Sequence, residues 1–155
     1  MQNIDNYLEN GILISATNHE TLLDKAIWRR FEKIVHVGPP SEGEISQLIS
    51  NYFNKIQSEL KEDSKKSELL ANSLKGYSHS EIIKIINSAY YNSIVQKRTF
   101  DFEEIFIELF KYNNNNSFSE DDLIRFLNDS HIPQKNIAEH LEVSIRQVRN
   151  AINKF

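Results

Sequence analysis

Cysteine is absent from the 155 residues, which excludes disulfides and thiolate metal sites and fits a cytoplasmic protein. No apolar run approaches the ~18 residues a spanning helix needs, so no membrane segment is expected. The opening MQNIDNYLEN lacks the basic-then-apolar layout of a signal peptide. A basic surplus is missing too: net charge is −4 and the pI near 5.7. The chain as a whole is therefore no basic nucleic-acid binder, and any such role must come from a local patch. His19, His36, His79, His131 and His140 share no metal-ligand spacing, so no metal site is expected, and no Ser-His-Asp arrangement can be argued. Glycine is scarce, with four in all (Gly11, Gly38, Gly43 and Gly76). What is present is ordinary for a globular chain able to bury a core in one domain or two small ones: 26% charged and 39% hydrophobic residues.

The stretch ILISATNHETLLDKAIWRRF, residues 12–31, organises the rest. A near-continuous apolar run over 12–16 reads as a strand buried on both faces. Residues 2–8 look like the end of a preceding helix, with Gly11 as its stop. Asp24 is a good N-cap for a short helix carrying Ala26, Ile27 and Trp28 inward. Residues 34–37 form the next strand, which Gly38-Pro39-Pro40 ends.

Helical periodicity takes over after Pro40. Ser41 and Glu44 make a capping box, and Ile45, Leu48, Ile49, Tyr52, Phe53 and Ile56 carry a helix to about residue 60. Residues 61–66 are a charged connector, and 67–75 hold a second helix on Leu69, Leu70 and Leu74. Gly76 ends it. Ser78 and Glu81 box the next helix, whose inner face is Ile82, Ile86, Ala89, Tyr90 and Ser93. The aromatic run over 100–110 reads as a short core helix. Asn113 to Asn116 form a low-complexity hinge.

Ser119 to Asp122 then cap a helix that stops at Asn128-Asp129-Ser130. In HIPQKNIAEHLEVSIRQVRNAINKF, Ile137, Ala138 and Leu141 face inward, and Val143, Val148 and Ile152 anchor a second helix opened by a Ser144–Gln147 box. This stretch resembles a helix-turn-helix, whose turn often carries glycine; the resemblance puts Glu142 at that position, with a modest left-handed penalty. Residues 131–155 hold four basic against two acidic side chains, +2 in a chain of −4. Outward positions include Ile145, Arg146, Gln147, Arg149, Asn150 and Asn153. Arg, Gln and Asn are the side chains that read base edges in a major groove.

These motifs resemble known families. Residues 12–31 resemble the second half of the nucleotide-binding core of AAA ATPases, where Ala-Thr-Asn ends a strand as sensor 1 and Asp-x-Ala-x-x-Arg-Arg-Phe carries arginine fingers. The resemblance implies that Asn18 helps hold the attacking water and that Arg29 and Arg30 serve a neighbouring subunit's ATP, with Arg29 preferred for the direct contact. Gly-Tyr-Ser-His-Ser-Glu-Ile at 76–82 is similar to the family's lid signature, which puts Gly76, His79 and Ser80 near the adenine. His79 stands where the family has glycine and could stack on or cap the base instead. Residues 131–155 resemble a helix-turn-helix, with Ser144, Arg146, Gln147, Arg149 and Asn150 as the DNA-contacting set. Protein docking or oligomerisation by this module stays open beside DNA binding.

The implied architecture is mainly α: a two-strand remnant of the α/β AAA core at 1–40, a helical lid at 41–112 and a three-helix helix-turn-helix domain at 117–155. ATP and Mg belong to the full-length family context. The chain has no G-x-x-x-x-G-K-[ST] and no apolar run ending in Asp-Glu before the sensor, so it is expected to be inactive alone. Its expected partners are other copies or intact AAA subunits, with DNA possible through 131–155. The alternative is a non-enzymatic DNA-binding or adaptor protein that uses the remnant for self-association.

Overall fold

Ser41 and Glu44 bond reciprocally, and that cap opens the long helices. The Ser41 N–H and hydroxyl both donate to Glu44 Oε2, at 2.8 and 2.7 Å. The computed structural model describes residues 12–55 and 64–154. Among them lie a 3₁₀ turn (Glu20–Leu22) and helices α1 (Lys25–Trp28), α2 (Glu42–Lys55), α3 (Ser64–Ser73) and α4 (His79–Val95). Helices α5 (Phe102–Asn113), α6 (Glu120–Asp129), α7 (Gln134–Leu141) and α8 (Ile145–Ile152) follow. The chain divides into two units between Val37 and Gly38. The protein is mainly helical, and no described helix is long and apolar enough to cross a membrane.

The first unit departs from expectation. Neither 12–16 nor 34–37 forms a strand, and the described residues contain none. Ile14 is 87% exposed and Val37 89%. A strand needs a neighbour for its N–H and C=O groups and apolar cover for its side chains. The described part of this unit supplies neither. Helix α1 is capped as expected, with Ala26 N–H donating to Asp24 Oδ1 at 2.9 Å, yet Ala26 is exposed and Ile27 and Trp28 are only half-buried.

The second unit follows the apolar periodicity closely. One core cluster runs from Ile45 in α2 to Ala151 in α8. Helix α5 is its axis: every residue from Phe102 to Leu109 is buried, and the helix packs on α3, α4, α6 and α7. Phe53 meets Phe100 and Phe102 tilted or edge-on at 5.3 and 5.2 Å, and Phe110 meets Phe118 and Phe126 at 5.1 and 4.9 Å. Such aromatic pairs add to the area they bury. Helix α3 begins at Ser64, so residues 64–66 of the expected connector are helical. The Asn run does not interrupt the core. Asn113 ends α5, and Asn115 and Asn116 take left-handed conformations (φ 49° and 58°) that Asn tolerates better than most residues. The expected helix end at 2–8 with its Gly11 stop, the continuation of α2 over 56–60 and the connector at 61–63 lie outside the described residues.

Candidate functional site

Residues 12–37 carry the first set of expected functional side chains. Asn18 sits in an exposed bend, next to Thr17, whose Oγ1 accepts from His19 N–H at 3.0 Å. Asp24 fixes the start of α1, and Arg29 follows directly as its C-cap. Arg30 is the next residue, its N–H donating to Ile27 O at 3.1 Å. Both arginines are exposed on this short helical end.

The second set lies where α3 turns into α4. Gly76 adopts φ +91°, and a Cβ added there would meet nothing within 4 Å. Glycine is needed at this turn for backbone conformation, not for space. Ser78 caps α4 in a full box: Glu81 Oε2 accepts from the Ser78 N–H and hydroxyl, both at 2.8 Å. Those bonds, with one from the Tyr112 hydroxyl, hold the Glu81 carboxyl below its usual range. His79 and Ser80 are exposed in the first turn of α4. The start of α2 is close by. Lys75 Nζ reaches Glu42 Oε1 at 2.7 Å, and His79 adds a weak pull to Glu44, whose carboxyl is lowered chiefly by its bonds from Ser41.

The third set lies on α8. Ser144 and Gln147 form the expected box, the Ser144 N–H and hydroxyl donating to Gln147 Oε1 at 2.9 and 2.7 Å. Cap duty therefore occupies the Gln147 carbonyl. Val148 and Ala151 are buried, which turns Arg146, Arg149 and Asn150 outward. Among the described residues neither arginine has an acidic partner within salt-bridge range.

A groove of about 480 Å³ on α4 and α5 is lined by Lys84, Ser88, Glu108, Lys111, Tyr112 and Asn115, among others. None of the expected site residues lines it. Its carboxylate is already taken, Glu108 accepting from Ser88 Oγ at 2.9 Å and Lys111 Nζ at 2.6 Å. No group of three His, Cys, Asp or Glu side chains able to hold a metal occurs among the described residues. Since the sequence also lacks a phosphate-binding loop, the residues present do not make a complete ATP and magnesium site.

No spacing in the sequence announces the charge cluster between the α4–α5 connector and α7. Asp101 caps α5 and lies 3.0 Å from His140 Nε2, and Arg98 contacts Glu104, Glu142 and the His140 carbonyl. The acids at 103, 104 and 108 gave no sign of it, because carboxylates in an apolar helix ordinarily mark a solvated face, yet all three are buried here.

Two relatives match part of the chain. The similarity is to AAA proteins. One is an AAA family ATPase named y4kL from Sinorhizobium fredii, 32% identical over 95 residues. The other, an ATP-dependent zinc metalloprotease YME1 homolog from Schistosoma mansoni, is 37% identical over 84 residues. These alignments cover 61% and 52% of this chain but only 27% and 12% of the two relatives. No protein-family model matches, and no solved structure matches significantly.

Proposed function

We propose that this chain is the C-terminal portion of an AAA-type ATPase that binds and hydrolyses ATP as an oligomer. The observation that carries this reading is the similarity, at about a third identity over more than half of the chain, to two proteins named as AAA-family members. Asn18 is the water-orienting amide, since an amide donates and accepts without adding charge. Arg29, or Arg30 beside it, is the guanidinium given to a neighbouring subunit, where it offsets charge on the transferring phosphoryl group. Gly76, His79 and Ser80 border the adenine from the helical lid. The exposure of Asn18 and both arginines is compatible with these roles. ATP and magnesium are held chiefly by protein that this chain does not contain.

A chimera tests the reading. The aligned segment of the S. fredii relative is replaced by this chain, and ATP hydrolysis is measured with and without Arg29→Ala and Arg30→Ala. A loss of about 10³-fold or more on removing both is expected of arginines supplied in trans. Undiminished hydrolysis by the doubly substituted chimera would reject the assignment. Calorimetry of MgATP into the chain alone should show no micromolar binding.

A second reading is supported by the outward Arg146, Arg149 and Asn150 of α8: residues 131–155 form a helix-turn-helix that contacts DNA, with Ser144 and Gln147 at its leading end. Arg146→Ala should then cost about 1–3 kcal/mol on a preferred sequence. Binding that ignores both salt concentration and this substitution would leave α8 as a protein-docking helix.

A further inference from the structure

Arg98 stands in the connector between α4 and α5, and its backbone is pinned before its side chain acts. Lys97 turns left-handed (φ 55°), and Arg98 N–H donates to the carbonyl of buried Ser93 at 2.8 Å. From this root the guanidinium reaches the end of α7. Nη1 donates to His140 O at 2.5 Å, a carbonyl in the last turn where helices lack internal donors. Nη2 donates to Glu142 Oε1 at 2.8 Å. Nη1 also lies 3.5 Å from Glu104 Oε1, a buried atom with no hydrogen bond of its own. Asp101, the N-cap of α5, holds the His140 ring from the same connector at 3.0 Å.

Glu142 is the residue that ends α7 on the way to α8, and it is left-handed (φ 57°). A side chain there costs about 1–2 kcal/mol relative to glycine. Glycine, however, could not return a carboxylate to Arg98. Lysine at position 98 would supply one point charge in place of a planar fork that serves a carbonyl and a carboxylate together.

We propose that Arg98 is a coupling residue: it fixes the left-handed turn at Glu142 and thereby makes the exposed face of α8 move with α4 and α5 as one body. The device lies wholly within residues 93–152 and stands independently of the nucleotide reading.

Amide hydrogen exchange on the full chain tests it. Arg98→Met should speed exchange about tenfold over residues 137–141 and 148–152 while changing residues 82–89 by less than about twofold. A second substitution separates coupling from general stabilisation. Glu142→Gly relieves the turn in either background but sacrifices a contact only where Arg98 is present. It should therefore slow exchange over 148–152 about threefold more in the Arg98→Met background than in the parent. A uniform rise along the chain, no rise at all, or equal effects of Glu142→Gly in both backgrounds would overturn the proposal. Should Arg98→Met yield no folded protein, Arg98→Lys takes its place and the same comparisons decide.

Discussion

His140 Nε2 lies 3.0 Å from Asp101 Oδ2, joining two helices through residues 39 apart in sequence. The Asp101 carboxylate raises the imidazole to about 9, against the opposing effect of burial, with help from the Asn136 carbonyl and Glu104. Glu104 is itself pushed upward, chiefly by burial. Arg98 brings a cation beside this pair, donating to the His140 carbonyl and lying 3.5 Å from Glu104.

Stability should therefore fall on the alkaline side. In the native state His140 holds its proton more tightly than in the unfolded chain, so its contribution is complete below about pH 6.5 and is lost as pH rises through about 9. The loss should amount to about 2–3 kcal/mol in urea unfolding free energy between about pH 6 and pH 10. His140→Gln should flatten that slope. An unchanged slope would mean the proton is not held by this pair.

Gly76→Ala separates backbone from binding. At φ +91° an alanine is strained although nothing lies within 4 Å of its Cβ. The substitution should cost about 1–2 kcal/mol of stability in denaturant unfolding. A neutral result would show that the turn before α4 relaxes without cost.

Ile124→Ala probes the continuity of the core. Ile124 is 1% exposed in α6 and belongs to the same cluster as Ile45 in α2. The cavity should cost about 2–5 kcal/mol, and α2–α8 should still unfold in one transition. Two separated transitions in calorimetry would mean that α6–α8 melt apart from α2–α5.

Lys66→Ala should expose the cost of a stranded charge. Lys66 Nζ is 2.6 Å from Glu103 Oε1, and Glu103 is 4% exposed. Asn136 Nδ2 also donates to that oxygen, at 2.8 Å, so some compensation remains. A loss of about 1–3 kcal/mol is expected, larger than for Glu103→Gln, which removes the buried charge itself. Thermal unfolding of the two variants gives the order directly.

Where local rules decide, the sequence was readable. The boxes at Ser41–Glu44, Ser78–Glu81 and Ser144–Gln147 involve residues three apart, and each is formed. Apolar periodicity likewise marked Ile45, Ile49, Ile82, Ile86 and Val148, all buried. What escaped was long-range. No spacing rule connects Arg98 to His140 or Lys66 to Glu103, because those pairs depend on how α5 is enclosed. The apolar run at 12–16 misled for a related reason: composition favours a strand, but pairing depends on what lies alongside. Of the expected site, local reading explains the geometry at Gly76, Ser78 and Ser144, while Asn18, Arg29 and Arg30 remain assignments by resemblance.

The enclosure of α5 also governs where this polypeptide tolerates being cut. A shortened version ending at residue 112 would remove Phe118 and Phe126 from Phe110, Asn136 from Glu103 and His140 from Asp101 in one stroke. It would present a greasy, acid-studded rod to water. Expression trials that trim the C-terminus there should yield inclusion bodies, whereas breaks in the loop at Asn115–Asn116, with both pieces kept, should let the halves reassemble.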